Sequence, residues 1–308
     1  MTPPPEDVPP PPPASEGTPA ASTPGLSRGL RRTVIAIVVV VIVVIGIIGY
    51  ALAGVAYASS RVAGANRSLN TVVSHQNSLN TTFKELDTKF SGLNSSATFD
   101  PKAAHTLIDQ FVASARAAGT TVDQDDTSLV SARASLTQQQ WLTVLSKGAL
   151  DKESQRIDHA RKGLATAKTV AADYVLDGQF LQSFLDAAAD LDTLGTQSAN
   201  ADVSAAKATL ATMKTHVDKA LELSTAPGLP TDLHDLMVDF QALVADFGKL
   251  LDAAAAGDTN TLTTAEQAVE KDATKISSYN FDKISAAIDA YYKPLVDSFN
   301  SEMQKATA

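Results

Sequence analysis

The sequence predicts an all-α protein, in which one transmembrane helix continues into an elongated extracytoplasmic helical bundle of seven or eight helices. Three observations predict this architecture. Ten of the fourteen prolines lie before residue 25, a long uncharged run of valine and isoleucine follows them, and the remainder carries apolar residues at helical spacing. No segment after Ser59 shows sustained apolar and polar alternation, so no sheet is expected. The chain therefore divides into residues 1–32, 33–58 and 59–308.

The first zone, residues 1–32, is predicted to be a disordered, proline-rich cytoplasmic tail. It contains the run Pro9–Pro13 and almost no large apolar residue, so it cannot bury enough surface to offset the entropy of folding. Part of it should adopt polyproline II geometry. Such a tail serves either as a soluble spacer or as a docking strip for a proline-recognising protein.

The second zone, residues 33–58, is predicted to span the membrane. Thirteen of the fifteen residues from Val34 to Ile48 are valine or isoleucine, and no charge follows until Arg61. The run up to Ala58, at about 1.5 Å per residue, exceeds the roughly 30 Å of hydrocarbon in a bilayer. Branched residues favour strands in water, but in lipid the backbone must satisfy its hydrogen bonds within a helix.

The charges beside the span predict its orientation. Arg28, Arg31 and Arg32 precede it, whereas only Arg61 and Arg67 follow closely. Because cytoplasmic flanks are enriched in basic residues, the N-terminus is expected in the cytoplasm and the C-terminal domain outside. The expected location is therefore the cell membrane, with a single pass.

Two further properties of the span remain open. The segment Ala56–Ala58 resembles a small-residue signal-peptidase site, and cleavage after Ala58 would release a secreted helical protein. The apolar run exceeds the roughly 7–15 residues of a signal sequence, which favours an uncleaved signal anchor. Gly49 and Ala53 form a small-xxx-small pair that would allow a homodimer.

The third zone, residues 59–308, is predicted to begin with a seam of the coiled-coil type. The seam residues follow a 3-4 spacing, and Gln76 is the one polar member, with a predicted role in register. They are Val62, Ala65, Leu69, Val72, Gln76, Leu79, Phe83, Leu86, Phe90 and Leu93. Because no proline lies between Thr33 and Leu93, the membrane helix is expected to continue into this domain as one rod.

The later helices are predicted from apolar stripes that are separated by breaks. The expected breaks are Asn94–Phe99, Gly119–Asp126, Gly148, Asp177-Gly178, Gly195–Asp202, Pro227–Pro230 and Gly257. Asp232 is predicted to cap one helix, and a last helix from Thr261 is predicted to kink or end at Pro294. The helices would form one bundle or two in series, dividing near Gly178 or between Gly195 and Asp202.

Composition excludes several classes of function. The net charge of −9 lies entirely after the span, because residues 1–32 sum to zero and the span itself is uncharged. An acidic domain repels nucleic acid and anionic lipid headgroups, so nucleic acid is not an expected partner. The chain has no cysteine, which excludes disulfides, thiol nucleophiles and thiolate metal sites.

No catalytic, cofactor-binding or metal site is predicted. The five histidines fall on separate predicted helices, and neither Glu-x-x-His nor His-Glu-x-x-His occurs. They are His75, His105, His159, His216 and His234. Asp123, Asp125 and Asp126 lack the glycine and the final acid of a calcium loop, so a solvated acidic turn is expected there. Trp141 and the pair Tyr291-Tyr292 could belong to a binding surface, but packing in the core is the simpler interpretation.

The predicted function is non-catalytic. The seam, the anchor and the missing catalytic motifs favour a cell-envelope protein whose helical ectodomain binds a partner protein or acts as a scaffold. One alternative is a small-ligand-binding or sensory bundle that acts through a partner protein. A second is an enzyme whose carboxylates converge from distant helices, which two buried acids in a deep pocket would favour.

Overall fold

The computed structural model of this chain describes residues 60–95, 101–137 and 147–308. Seven α-helices occupy most of these residues, and no strand occurs among them. The helices are α1 (Ser60–Ser95), α2 (Pro101–Thr137), α3 (Lys147–Ala199), α4 (Val203–Leu223), α5 (Thr231–Ala256), α6 (Thr259–Ser277) and α7 (Phe281–Thr307). The all-α prediction is therefore confirmed for this part of the chain.

The predicted tail (1–32) and the predicted membrane span (33–58) lie outside the described residues, as does Trp141. In the three described ranges, no helix is both long and apolar enough to cross a membrane.

Helix α3 is the axis of the fold. Its 53 residues, at about 1.5 Å each, make it about 80 Å long. It packs against α2, α4, α7 and, over a shorter stretch, α1. Helix α5 packs between α4 and α6, so the helices that do not reach α3 are attached through their neighbours.

Buried apolar side chains form two clusters along α3. The smaller cluster joins the start of α1, the end of α2, the start of α3 and the end of α7, and includes Leu69, Leu129, Ile157 and Met303. The larger cluster begins with the second half of α1 and extends through α4 and α5. Because α3 contributes to both clusters, a single helix connects them.

The predicted seam is the buried face of α1. The buried members are Val62, Ala65, Leu69, Val72, Gln76, Phe83 and Leu86. Leu79 is half-buried and packs against the larger cluster. The side chains of Phe90 and Leu93 lie outside the described set. The 3-4 spacing predicted this buried face correctly, because its one polar member, Gln76, lies on the same face as its apolar neighbours.

The predicted break at Gly119–Asp126 is wrong, because α2 continues through it to Thr137. Val122 and Asp125 are buried within this segment, on the stripe that runs from Ala115 to Leu129. The buried aspartate interrupts the apolar pattern without interrupting the helix, and periodicity alone cannot distinguish these two cases.

The predicted breaks within α3 are also wrong. Gly148 lies at the start of α3 and not at the end of the preceding helix, and the helix continues through Asp177-Gly178. The break predicted between Gly195 and Asp202 is confirmed, because α3 ends at Ala199 and α4 begins at Val203. A Cβ atom on Gly178 would lie 2.4 Å from Cγ2 of Val112 and 3.2 Å from Cδ1 of Phe111. Glycine at this position therefore allows a close approach of α2 and α3, and it does not end a helix.

The last predicted helix is two helices. Helix α6 ends at Ser277 and α7 begins at Phe281, where the side chain of Asn280 accepts a hydrogen bond from the Lys283 N–H at 3.0 Å. Pro294 is not a helix boundary, because it lies inside α7 on the exposed side. The kink predicted at this residue stays a prediction. Solvent can hydrate the backbone carbonyl that loses its partner one turn earlier, which makes the proline tolerable.

The predicted end of α5 is confirmed, whereas its predicted N-cap is wrong. Pro230 occupies the N-cap position without a side-chain hydrogen bond, and Asp232 lies in the first turn, so Asp232 is not the cap. Gly257 ends the helix with a φ of 67°, as predicted. This left-handed conformation suits glycine because it has no Cβ atom.

Candidate functional site

Polar side chains that are buried in the core are the first indication of a functional site. The buried ones in the described part of the chain are Gln76, Asp125, Glu153, Asp173, Asp177, Ser224 and Asp239. Burying a polar group is costly unless it forms hydrogen bonds, so each of them requires a partner or a purpose. Gln76, Asp125, Asp173 and Asp177 come from α1, α2 and α3, which pack against one another.

A pocket lies between α1, α2 and α3, and we call it the three-helix pocket. Its empty space amounts to about 450 Å³ when the open solvent at its mouth is included. Its lining has mainly apolar surface and no charged side chain. The lining residues are Gln76, Leu79, Asn80 and Phe83 of α1, Ala118 and Val122 of α2, and Ala167, Val170, Ala171 and Tyr174 of α3. The α1 members are spaced three and four residues apart, which places them on one face of that helix.

Three polar atoms in this lining have no hydrogen-bond partner. They are Nε2 of Gln76, Oδ1 of Asn80 and the hydroxyl oxygen of Tyr174. Gln76 is 8% exposed and Tyr174 is 0% exposed. Burial raises the pKa of Tyr174, so its hydroxyl stays neutral. Leaving such a group unpaired in the core costs about 1–3 kcal/mol.

Asp125 lies one helical turn along α2 from the pocket residue Val122. Its Oδ1 pairs with Nδ1 of His75 at 2.7 Å, whereas its Oδ2 has no partner. Burial raises the pKa of Asp125, and the bond from His75 opposes this. The side-chain amide of Gln76, which lies beside the carboxyl group, also lowers the pKa of Asp125. The pocket therefore has a carboxyl group just behind its wall.

A second buried carboxyl group lies one turn after Tyr174 on α3. Oδ2 of Asp177 accepts a hydrogen bond from the hydroxyl of Tyr292 at 2.5 Å, and its Oδ1 has no partner. Burial raises the pKa of Asp177 to about 8, although the bond from Tyr292 lowers it. Asp173, one turn earlier, accepts a bond from Tyr291 at 3.0 Å, and burial raises its pKa as well. At neutral pH the Asp177 carboxyl is therefore mostly protonated.

Aromatic rings connect the three-helix pocket to these acids. The ring centroids of Phe83 and Phe111 are 6.0 Å apart, and those of Phe111 and Tyr174 are 5.5 Å apart. Tyr174 in turn lies 4.7 Å from Tyr292, which lies 5.0 Å from Tyr291. Tyr292 is therefore packed in the core, as predicted, whereas Tyr291 is 37% exposed.

The predicted acidic turn is wrong, because its three aspartates lie on one helix and face different neighbours. Asp123 pairs with Lys168 at 2.6 Å, and Asp126 pairs with Arg161 at 2.7 Å. Asp125, between them, is the buried member that pairs with His75. Lys168 and Arg161 both belong to α3, so these ion pairs join α2 to α3.

The five histidines lie on five different helices, and four of them pair with a carboxylate of another helix. These pairs are His75–Asp125 at 2.7 Å, His105–Asp186 at 3.5 Å, His159–Glu302 at 2.8 Å and His216–Asp190 at 2.7 Å. The hydrogen bond from His159, together with Lys305, lowers the pKa of Glu302 to about 2. The fifth, His234, contacts the Ser224 hydroxyl at 2.9 Å. Within the described ranges, no group of three or more potential ligands could hold a metal ion.

No protein-family model, curated protein or solved structure matches this chain.

The buried acids bear on the alternative that this chain is an enzyme. Asp173 and Asp177 are both buried, but neither lines the three-helix pocket. Each carboxylate is bound by a tyrosine hydroxyl instead.

This site was not predicted from the sequence, although one signal was available. Asp173 and Asp177 lie four residues apart and interrupt the apolar stripe of α3 beside Tyr174. Acids within such a stripe are rarely left unpaired, so they indicate a polar contact in the core. The identity of that contact, Tyr291-Tyr292 on α7, could not be read from α3 alone.

Proposed function

We propose that this chain is a non-catalytic, single-pass membrane protein of the cell envelope, whose helical rod holds a partner protein away from the membrane. The observation that carries the proposal is the continuous helix α3, which contributes to both core clusters along its length of about 80 Å. A rigid helix of this kind suits a spacer or scaffold, because its two ends keep a constant separation.

The positions of the helix ends support a domain with one end near the membrane and the other end far from it. Arg156, near the start of α3, donates hydrogen bonds to the backbone carbonyl of Ala306 at 2.8 Å and to Oδ1 of Asn66 at 3.0 Å. The starts of α1 and α3 and the end of α7 therefore meet at one end. The apolar run that ends at Ala58 directly precedes α1, so this end would face the membrane. The turns after α3 and after α5 would lie at the far end.

The surface favours a polar mode of recognition. The large apolar side chains that are exposed on described residues, Val130, Val238 and Tyr291, lie on three different helices. The domain also carries the net charge of −9. A partner with a basic surface fits these properties, and its binding should weaken as salt increases.

Tags at the two termini test the membrane topology. With protease added to intact spheroplasts, we expect an N-terminal tag to be protected and a C-terminal tag to be digested. A C-terminally tagged fragment that starts near Ser59 would instead mean secretion. An Ala58→Leu variant, which removes the small residue of the cleavage site, identifies that fragment because it should then disappear.

Photocrosslinking in native membranes tests the scaffold. A photoreactive residue replaces Asn200 in the turn after α3 or Ala255 near the end of α5, both of which are exposed. The matched control is exposed Lys152 at the opposite end of α3. We expect one partner from the first two positions and none from Lys152. The same adducts from all three positions, or none from any, would contradict a distal docking end.

A further inference from the structure

We propose that α6 is a pH-sensitive lid, which is closed on α5 in acid and opens as the pH rises towards neutral. The inference goes beyond the scaffold role. It depends on neither the membrane anchor nor a partner protein, so the two proposals can fail separately.

Apolar packing holds α6 less firmly than it holds α5. Of the 19 residues of α6, Ala265 and Ile276 are buried, whereas α5 buries nine of its 26 residues. Val269 is half-buried and packs against the larger cluster. Helix α5 is the one described helix against which α6 packs extensively. A helix that buries so little apolar surface opens at a low cost in free energy, so its polar contacts with α5 decide whether it stays closed.

Three aspartates meet between α5 and α6. Asp239 and Asp246 are seven residues apart on α5, so they lie on the same face of that helix. The carboxyl group of Asp272, on α6, lies beside that of Asp246. Oδ2 of Asp272 is buried and has no hydrogen-bond partner. Two ionised carboxylates in contact repel each other, so this contact opposes the packing of α6 on α5.

Lysines form ion pairs with the two aspartates of α5. Lys249 pairs with Asp246, and Lys275 of α6 pairs with Asp239, each at 2.6 Å. Neither lysine forms its ion pair with Asp272. The Lys275 pair joins the two helices, so it holds α6 at one end while the contact of Asp272 with Asp246 repels it.

The other charges near Asp272 act in both directions. Lys271 precedes it on α6 and attracts its carboxylate, as do Lys249 and Lys275 from a greater distance. Asp239 repels it. The exposed lysines are hydrated and screened by salt, so they offset only part of the repulsion.

Protonation of Asp272 converts the repulsion into a hydrogen bond. Burial, and then the charge of Asp246, raises the pKa of Asp272 above its ordinary value of 3.8. The protonated carboxyl group can donate to Asp246. Because the closed chain binds this proton more tightly than the open chain, the closed lid is favoured in acid. This preference is lost as the pH rises through the pKa of Asp272 in the closed state.

Thiol labelling of the full chain in lipid nanodiscs measures the opening, because the sequence contains no cysteine. Ala265→Cys places a thiol on the buried face of α6. At about pH 7 we expect this thiol to react at least about threefold more slowly when Asp272→Asn is added, which corresponds to about half a pKa unit. The asparagine amide can donate to Asp246 at any pH and so keeps the lid closed. Thr264→Cys is the matched control, because its exposed thiol should react equally with and without Asp272→Asn.

Hydrogen exchange tests the pH dependence without any cysteine, so it applies even if Ala265→Cys perturbs the fold. From about pH 4 to about pH 7, after correction for the intrinsic rates, the amides of α6 should lose at least about threefold more protection than those of α4. Asp272→Asn should abolish this difference. Glu270→Gln, which changes an exposed acid of the same helix, should leave it unchanged.

Two results would overturn the proposal. One is equal labelling of Ala265→Cys with and without Asp272→Asn. The other is a loss of protection in α6 that persists in Asp272→Asn or that matches the loss in α4.

Discussion

Replacing Asp177 by asparagine should stabilise the folded chain at neutral pH. The amide has nearly the shape of the carboxyl group and carries no charge at any pH. The hydroxyl of Tyr292, which now donates to Oδ2 of Asp177, could donate to the amide oxygen instead. The substitution therefore removes the ionisation of a buried group while it keeps the hydrogen bond.

The magnitude follows from the pKa of Asp177, which burial raises from 3.8 to about 8. Because the folded state binds this proton more tightly than the unfolded state, the free energy of unfolding falls as the pH rises from about 4 to about 8. Each pKa unit corresponds to about 1.4 kcal/mol, so the loss reaches about 4 kcal/mol at pH 7. This is a large part of the roughly 5–15 kcal/mol that stabilises a typical protein.

Urea unfolding followed by circular dichroism between pH 4 and 8 measures the effect. We expect Asp177→Asn and the wild type to be about equally stable near pH 4 and to diverge by about 4 kcal/mol at pH 7. Asp151→Asn is the matched control, because it changes an exposed carboxylate of the same helix. It should not reproduce the divergence.

Parallel stability curves for Asp177→Asn and the wild type across this range would refute the reasoning. They would mean that the Asp177 carboxyl is ionised in the folded state at neutral pH despite its burial. Tyr292→Phe gives a second check, because the lost hydroxyl otherwise lowers the pKa of Asp177. Its pH-dependent loss of stability should extend to higher pH than that of the wild type.

Five further substitutions test the packing of the bundle and one of its turns, each by its effect on the free energy of unfolding. Gly178→Ala should destabilise the chain by about 1–3 kcal/mol, because the new methyl group would lie 2.4 Å from a valine methyl of α2. Gly64→Ala, which meets no atom within 4 Å, should instead stabilise it by up to about 1 kcal/mol. His75→Ala should cost about 1–3 kcal/mol because it leaves a buried carboxylate without its donor. His105→Ala removes an exposed pair and should cost less than about 1 kcal/mol. Ala201→Gly should stabilise by about 1 kcal/mol, since Ala201 has a φ of 55°. Equal effects of the two glycine changes, or of the two histidine changes, would contradict the packing described.

The candidate site could be predicted from the sequence only in part. Gln76 was recognised as a polar member of the α1 seam, but its partners were not apparent, because the pocket also requires α2 and α3. The pairing of His75 with Asp125 joins residues 50 positions apart. That of Tyr292 with Asp177 joins residues 115 positions apart. Helical spacing describes neighbours within one helix and carries no information about such contacts.

The sequence alone determined the helical class of the described domain, the buried face of α1 and the end of α5 at Gly257. These depend on local causes: the repeat of apolar side chains along one helix, and the freedom of glycine to adopt a positive φ. Only the tertiary structure decided that α3 continues through Gly178 and that α2 continues through Asp125. A glycine that ends a helix and a glycine that admits a neighbouring helix look alike in sequence, as do a solvated and a buried aspartate. The difference lies in what the rest of the chain packs against them.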